Sequence, residues 1–271
     1  MRRFLSILQK IIFLKRLIPS VLRRLPFNKS INIKINNFYI NLNLESSIDR
    51  YIFLKGFYDK KKIDYIESKI NPKEFDYFID IGSNIGFYAL YFASKFKNLN
   101  VLAFEPIQEN YEQILKSVET NNFKKFEVFK YALSNKMETK TMWVTNMKKK
   151  TGFSVYEDKD YKNETKMNNY DTKKIFKRSV KSEVFDDIFK IKNKNIFIKI
   201  DVERHEFQCI SGMTNLLQKS NNKIFLQVEI AEMYKNSVLN LLKKMNFSVL
   251  NIIEPEAKKN IHGSDYYLAN F

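Results

Sequence analysis

The chain has 271 residues, of which 44% are hydrophobic and 15% aromatic, a composition that predicts a packed core and excludes disorder over the whole length. The formal net charge of +17 is typical either of a protein with an anionic partner or of lysines spread over a solvated surface, and charge alone does not separate the two. The single cysteine, Cys209, excludes an internal disulfide and a multi-cysteine zinc site and fits a reducing compartment.

Residues 1–27 predict a basic amphipathic helix. Its apolar positions are interrupted by Lys10, Lys15 and Arg16, so the segment lacks the run of about 20 apolar residues that a membrane span needs. Two interpretations stay open: the helix packs on the domain or a partner, or residues 1–25 lie on an anionic membrane surface. We therefore expect a cytoplasmic protein, with peripheral contact at the inner membrane face as the alternative.

Residues 28–72 predict an N-terminal appendage made of strands and helices. Ser30–Leu44 alternates apolar and polar residues, the period of strands, with a turn near Asn36. Ser47–Ile70 then has the pattern of one or two helices, which Gly56 would separate.

Residues 73–271 alternate strand and helix patterns. This predicts an α/β fold with a doubly wound, Rossmann-like sheet that is mostly parallel, because near-continuous apolar strands separated by helices need cover on both faces. The last strand follows its predecessor through a loop alone and is expected to be antiparallel. The predicted strands are Tyr77–Ile81, Asn100–Phe104, Phe126–Leu133, Ile196–Asp201, Ile224–Ile230, Phe247–Ile253 and Tyr266–Asn270, and the predicted helices are Ile85–Phe96, Ile107–Asn121, Glu206–Leu217 and Ala231–Met245.

Two segments interrupt this alternation. Lys140–Thr145 and Ser154–Tyr156 predict a β-ribbon. Residues 157–178 are polar and rich in Lys and Asn, which predicts a mobile surface loop that could serve as a lid.

The first candidate binding element is the sequence D-I-G-S-N-I-G, where a strand runs into a glycine turn that opens a helix. Glu105 ends the next strand and is placed to accept the hydroxyl groups of a ribose. The third glycine of the dinucleotide fingerprint and the lysine of a P-loop are both missing, so the pattern does not favour dinucleotides or triphosphates. A ribose together with a cationic amino-acid group, as in S-adenosylmethionine, fits better. The candidate ligand-binding residues are Asp80, Gly82, Ser83, Asn84, Gly86 and Glu105.

The second candidate element is D-V-E-R-H-E, directly after the fourth predicted strand. Its polar side chains are expected at the carboxyl edge of the sheet, where open α/β sheets bind ligands. His205 has the pKa range that suits proton transfer from a hydroxyl near neutral pH. Asp201 or Glu203 could instead cap the following helix, and His205 could satisfy a local hydrogen bond.

These elements, with F-E-P and with Y-A-L-S at Tyr131–Ser134, resemble the FkbM family of methyltransferases, from about Ser47 to the end of the chain. The element I-K-I-D-V-E-R-H-E carries most of the specificity. The resemblance implies a doubly wound methyltransferase fold, S-adenosylmethionine as methyl donor, and a hydroxyl of a sugar or other small metabolite as acceptor. It assigns Asp80, Gly82, Asn84 and Gly86 to the donor loop, Glu105 to the ribose, and Asp201, Glu203 and His205 to the active-site element.

Arg204 is a departure from the family, which usually has glycine between the glutamate and the histidine. Either the turn tolerates a side chain, or Arg204 enters the acceptor pocket and favours an anionic group. The acceptor is accordingly expected to be a small molecule or glycan, with an anionic or lipid-linked one as a possibility to test.

The leading mechanistic hypothesis makes His205 the general base, and Asp201 either its orienting partner or the group that positions the acceptor hydroxyl. A second version uses Asp201, Glu203 and Glu229 as ligands for Mg²⁺, which would lower the pKa of the acceptor hydroxyl, and it is not favoured.

Two other functions compete with O-methylation of a small molecule or glycan. A nucleic-acid methyltransferase would need an N/D-P-P-Y-type element or a nucleophilic cysteine, and the chain has D-V-E-R-H-E and a helical Cys209 without a preceding proline, so nucleic acid is disfavoured as substrate. The other rival is a non-catalytic, membrane-associated protein that retains the fold, and the intact site residues count against it.

Overall fold

A computed structural model describes residues 30–69, 74–145, 154–155, 175–255 and 263–271. The predicted basic helix 1–27 lies outside the described residues, as does most of the predicted loop 157–178. Within the described ranges, no helix is both long and apolar enough to cross a membrane. The division of the chain into three parts stays a prediction.

The N-terminal segment forms a hairpin followed by two helices, as its sequence pattern predicts. Ser46 caps the first of these helices, and Gly56 ends it in the left-handed conformation at φ +74°. Asn36, at φ +48°, turns the hairpin. The elements are β1 (Ser30–Ile35), β2 (Phe38–Asn43), α1 (Ser47–Lys55) and α2 (Lys60–Lys69).

The remaining elements follow in chain order. They are β3 (Tyr77–Ile81), α3 (Phe87–Lys95), β4 (Asn100–Phe104), α4 (Gln108–Asn121), β5 (Phe126–Phe129), β6 (Ala132–Leu133), β7 (Glu138–Thr145), β8 (Ser154–Val155), β9 (Ile175–Glu183), α5 (Phe185–Ile188), β10 (Asn195–Ile200), α6 (Glu206–Ser211), β11 (Lys223–Ile230), α7 (Lys235–Lys244), β12 (Ser248–Ile253) and β13 (Ser264–Ala269).

The central sheet has the strand order β12-β13-β11-β10-β3-β4-β5. Strands β11, β10, β3, β4 and β5 are parallel, whereas β13 is antiparallel to both of its neighbours. The interior strands are almost wholly buried, because helices and the N-terminal hairpin cover their faces. This confirms the predicted α/β fold with a mostly parallel sheet and an antiparallel last strand.

The N-terminal hairpin shares one hydrophobic core with the helical layer of the sheet. Phe38 is fully buried and packs edge-to-face on Phe87 of α3, with 5.8 Å between the ring centroids. On α4, the Gln113 side chain donates to the Asn41 carbonyl at 2.7 Å, and the Ser117 hydroxyl accepts from the Asn41 N–H at 2.9 Å. These contacts position α1 and α2 beside the carboxyl edge of the sheet.

The prediction of one strand over Phe126–Leu133 is wrong. β5 ends at Phe129, and β6 pairs in parallel with β9 in a separate four-stranded sheet, in the order β6-β9-β7-β8. The predicted ribbon is confirmed for β7 and β8, while Tyr156 lies outside the described residues. The last residues of the predicted loop, from Ile175, belong to β9. The lysine and arginine residues of β9 interrupt the alternation of apolar and polar positions that would have indicated a strand.

The helices predicted over Glu206–Leu217 and Ala231–Met245 are each interrupted. α6 ends at Ser211, and a π-helical turn follows at Asn215–Lys219. The carboxylate of Asp186 accepts from the N–H groups of Asn215 and Leu216 at 2.6 and 3.0 Å, and so redirects the backbone there. A 3₁₀ turn at Glu232–Tyr234 precedes α7.

Candidate active site

One cavity lies at the carboxyl edge of the parallel strands, with a volume of about 910 Å³. This is near the upper end of the roughly 300–1,000 Å³ typical of small-molecule sites. The loops after β3, β4, β10 and β11 form its floor, and residues of α1, α2 and β6 form its walls. The cavity thus lies where the strand ends of a parallel sheet place their polar side chains.

Gly82 joins the two predicted elements of the site. Its φ is +77°, and an added Cβ would lie 1.9 Å from the carbonyl oxygen of Asp201, so the backbone there has no room for a side chain. The Asp201 N–H also donates to the Ile81 carbonyl at 3.0 Å. The glycine turn and the D-V-E-R-H-E element are therefore in direct backbone contact.

Glu105 lies at the cavity, as predicted for a ribose-binding residue. Its carboxylate accepts from the N–H groups of Asn84 and Ile107, both at 2.9 Å. Burial raises the pKa of Glu105 to about 7, although these backbone hydrogen bonds act in the opposite direction. Glu105, Gly82 and Asn84 all line the cavity. The Glu105 carboxylate also accepts from the Asn110 side chain, but a carboxylate has about four lone-pair sites, so it keeps acceptor capacity for a ligand hydroxyl.

Three predicted binding residues lie behind the cavity wall. Asp80 is buried, and its carbonyl accepts from the Ser83 hydroxyl at 2.7 Å. Gly86 starts α3 at φ +76° and faces Ile114 of α4. None of the three is among the described residues that line the cavity, and their roles in donor binding stay predictions.

Asp201, Glu203 and His205 all line the cavity. The turn between them is strained, because Glu203 and Arg204 have φ values of +51° and +77°. The second value explains why glycine suits the position of Arg204. The Arg204 N–H donates to Glu206 at 2.9 Å, and Arg204 is not among the described lining residues, so the turn tolerates its side chain.

His205 and Asp201 each have a buried polar partner. The Nε2 atom of His205 lies 3.0 Å from the Ser134 hydroxyl, and both side chains are buried. The Asp201 carboxylate accepts from the Lys199 ammonium at 3.1 Å. His205 therefore connects two motifs that are 71 residues apart in sequence, and Ser134 is a site residue to which the sequence analysis gave no role.

Two lysines of the site were also missed. Lys199 lies within β10 between Asp80 and Asp201, and a lysine inside an otherwise apolar strand is a signal that could have identified it. Lys62 reaches from α2 to Asp265 at 2.6 Å and to Glu229 at 3.7 Å. It belongs to a run of exposed-looking lysines, and nothing in the sequence distinguishes it.

The remaining carboxyl groups crowd one another. Burial, followed by the charges of Asp201 and Glu229, raises the pKa of Glu203 well above its ordinary value. Burial, followed by Asp201 and Asp265, does the same to Glu229. No group of three histidine, cysteine or carboxylate side chains in the described part of the chain is arranged to hold a metal ion.

Comparison with known proteins identifies the family. The profile "Methyltransferase FkbM domain" matches residues 80–249, more than half of the chain. The FkbM methyltransferase of Methylobacillus flagellatus has a similar structure, with a TM-score of 0.50 and 14% identity over 74% of this chain. The match spans only 45% of that protein. No curated protein sequence matches.

Other similar structures are more distant. Trm5b of Pyrococcus abyssi has a TM-score of 0.49 and 9% identity, over 90% of this chain and 56% of that one. TYW2 of M. jannaschii, solved with AdoMet, has a TM-score of 0.45 and 10% identity, over 90% of this chain and 86% of that one. The profile match, together with the fold and the position of its motifs around one cavity, leads to a single assignment: the chain belongs to the FkbM family of S-adenosylmethionine-dependent methyltransferases.

Proposed function

We propose that the protein transfers a methyl group from S-adenosylmethionine to a hydroxyl oxygen of a small metabolite or glycan. The observation that carries the proposal is the contact between Gly82 and the Asp201 carbonyl. It places the donor loop against the D-V-E-R-H-E element, and residues of both line one cavity. Catalysis of such an in-line displacement depends chiefly on holding the two reactants close and aligned.

The donor half fits S-adenosylmethionine. Gly82 lets the loop lie directly against the Asp201 backbone, and the buried Glu105 carboxylate at the cavity can accept from the ribose. When bound, S-adenosylmethionine supplies an electrophilic methyl group on a sulfonium. Glu105 and Gly82, which line the cavity, would hold the donor there.

In the acceptor half, His205 is proposed to take the proton of the attacking hydroxyl. Its support is its place on the cavity wall, beside Asp201 and Glu203. Ser134, at 3.0 Å from Nε2, is the residue that we propose orients the ring. Asp201 then positions the acceptor hydroxyl, and no step needs a metal ligand set.

The walls of the cavity favour a neutral acceptor. Asp59, Glu229 and Asp265 lie within 4 Å of Lys62, and Lys60 and Lys61 also line the cavity, so charges of both signs balance on that side. Tyr51 and Tyr58 add aromatic surface at the wall formed by the N-terminal helices. An anionic or lipid-linked acceptor, and membrane contact of a cytoplasmic protein through residues 1–25, remain predictions.

The test is transfer of a labelled methyl group from S-adenosylmethionine into an extract of the source cells, followed by nuclear magnetic resonance of the labelled product. We expect a methyl ether on a small molecule or glycan. Label recovered in RNA, or on nitrogen or carbon, would overturn the proposed acceptor chemistry. No incorporation by a protein that binds the donor would favour a non-catalytic role.

His205→Ala separates catalysis from donor binding. We expect methyl transfer to fall by about a hundredfold or more, because general-base assistance contributes roughly 10²–10⁴-fold. Donor affinity should stay within about twofold of wild type by calorimetry, since His205 lies on the acceptor side. Near-normal transfer in this variant would remove His205 from the mechanism.

A further inference from the structure

Lys199 is a buried cation in the middle of the central sheet. It lies in β10, where only 6% of its surface is exposed, and its strand partner in the parallel register with β3 is Asp80. Its ammonium lies 3.1 Å from a carboxylate oxygen of Asp201 and 3.9 Å from one of Asp80. The same nitrogen lies over the ring of Tyr88, 5.2 Å from the centroid.

Packing does not explain a lysine at this position. Its neighbours in the strand, Ile198 and Ile200, are fully buried, and a branched apolar residue would continue their pattern. Burying an ammonium costs several kcal/mol unless well-placed partners compensate for it. Burial alone would lower the pKa of Lys199, but Asp201 and Asp80 outweigh it and raise the pKa, so the side chain stays charged.

The two carboxylates belong to different halves of the site. Asp80 lies beneath the donor loop, out of contact with the cavity, whereas Asp201 lines the cavity next to Glu203. Burial raises the pKa of Asp80 to about 6, even though Lys199 lowers it. Lys199 therefore favours the ionised form of Asp80 beneath the donor loop. The same ammonium also fixes one carboxylate oxygen of Asp201.

We infer that Lys199 is a positioning residue for methyl transfer: its ammonium bridges Asp80 and Asp201 and holds the Asp201 carboxylate where the donor loop meets the acceptor. This rests on the proposed function, because it gives Lys199 a task only if methyl transfer takes place in this cavity. The bridge complements the contact of Gly82 with the Asp201 backbone, so the main chain and the side chain of Asp201 are each held by a separate contact.

Other charged groups around the bridge have their own partners or lie further away. Lys62 is held by Asp265 at 2.6 Å, so it is not available to replace Lys199. Several titratable groups act electrostatically on Lys199, Asp80 or Asp201. They are Tyr58 before α2, Asp59 and Lys62 at α2, Tyr88 on α3, Glu105 after β4, Glu203 and Glu206 after β10, and Glu229 on β11.

The experiment compares Lys199→Met, Lys199→Arg and wild type in the labelled-methyl transfer assay, at saturating S-adenosylmethionine and from pH 6 to 9. For Lys199→Met we expect a rate about tenfold to a hundredfold lower at pH 7, because small misplacements of reacting groups have effects of that size. The loss should shrink towards pH 9, since removing the ammonium lets Asp80 hold its proton to higher pH. Lys199→Arg should restore at least about a third of the rate.

A matched control lies at the other end of the same strand. Lys194, just before β10, pairs with Asp76 at 3.4 Å on the surface, and neither lines the cavity. Lys194→Met should retain the wild-type rate and pH profile. If Lys199→Met does not fold, Lys199→Met combined with Asp80→Asn removes the unpaired buried charge and still leaves Asp201 without its ammonium partner.

The outcomes are separable. A wild-type rate and pH profile in Lys199→Met, or in the folded double variant, would overturn the inference while leaving the proposed function intact. A loss that is the same at every pH and that arginine does not rescue would also overturn it, because that result indicates a purely structural lysine. No transfer by the wild-type protein would contradict the proposed function, and the inference with it.

Discussion

Replacing Gly82 by alanine tests the central contact of the site. The residue has φ +77°, and its added methyl group would overlap the Asp201 carbonyl oxygen, at 1.9 Å. Gly56 is a matched control, because its φ of +74° is nearly the same and no atom lies within 4 Å of an added Cβ. The two substitutions thus share the backbone strain and differ in the overlap.

The expected magnitudes follow from these two terms. A left-handed conformation costs an L-residue about 1–2 kcal/mol, and the lower entropy of the unfolded alanine chain returns about 0.4–1 kcal/mol. Gly56→Ala should therefore reduce the free energy of unfolding by about 0.5–1 kcal/mol. Overpacking adds about 1–3 kcal/mol, so Gly82→Ala should cost about 1.5–4 kcal/mol.

Urea unfolding of the two variants measures the difference, and calorimetry with S-adenosylmethionine measures its consequence. Gly82→Ala should also weaken donor binding at least about tenfold, because the backbone shift displaces the loop from Asp201. Gly56→Ala should bind the donor as wild type does. Equal destabilisation by both substitutions, with normal donor binding, would refute the close contact between the two elements.

Three further predictions concern charge and backbone strain. Burial raises the pKa of Glu105 to about 7 in the free protein, and only the ionised carboxylate accepts from both ribose hydroxyls. Donor affinity, measured by calorimetry, should therefore rise about tenfold from pH 6 to 8. This rise should be absent in Glu105→Gln, and an unchanged rise in that variant would contradict the ribose contact. Lys62→Met should lower the free energy of unfolding by about 2 kcal/mol at pH 8, because Asp265 loses its ion pair at 2.6 Å. The loss should be smaller at pH 5.5, because burial raises the pKa values of Asp59 and Glu229 and more of these two carboxyls are protonated there. Equal losses in urea titrations at the two pH values would contradict this. Arg204→Gly should change the free energy of unfolding, measured in urea, by between zero and about 1 kcal/mol in the stabilising direction. The reason is that relief of the left-handed strain at φ +77° exceeds the additional chain entropy that glycine loses on folding. A clear destabilisation would show that the contacts of the arginine side chain stabilise the fold by more than the strain costs.

Strong local patterns allowed most of the fold to be predicted. The buried strands β3, β4, β10 and β11 have short apolar runs, which are typical of strands covered on both faces. The segment between β12 and β13 is shorter than the roughly dozen residues that a parallel crossover needs, so the last strand can only pair antiparallel with its predecessor. The π-helical turn after α6 could not be predicted, because it depends on Asp186, a carboxylate about 30 residues away in sequence. β9 was missed because its lysines and arginine conceal the strand period.

The candidate site shows the same division. Gly82, Glu105 and Asp201 were predictable, because their chemistry is tied to the end of a strand or to a turn. Contacts between distant parts of the chain could not be predicted. Ser134 and His205 are 71 residues apart in sequence, and Lys62 near the N-terminus contacts Asp265 near the C-terminus. Such pairs are set by tertiary packing, which a single sequence does not encode in any local pattern.

The most direct test of the account is calorimetric titration of the protein with S-adenosylmethionine, in parallel with Gly82→Ala. The account predicts saturable binding of one donor molecule per chain by the wild-type protein and at least about tenfold weaker binding by the variant. Absence of both heat and thermal stabilisation with the wild-type protein would contradict the assignment of this cavity to methyl transfer.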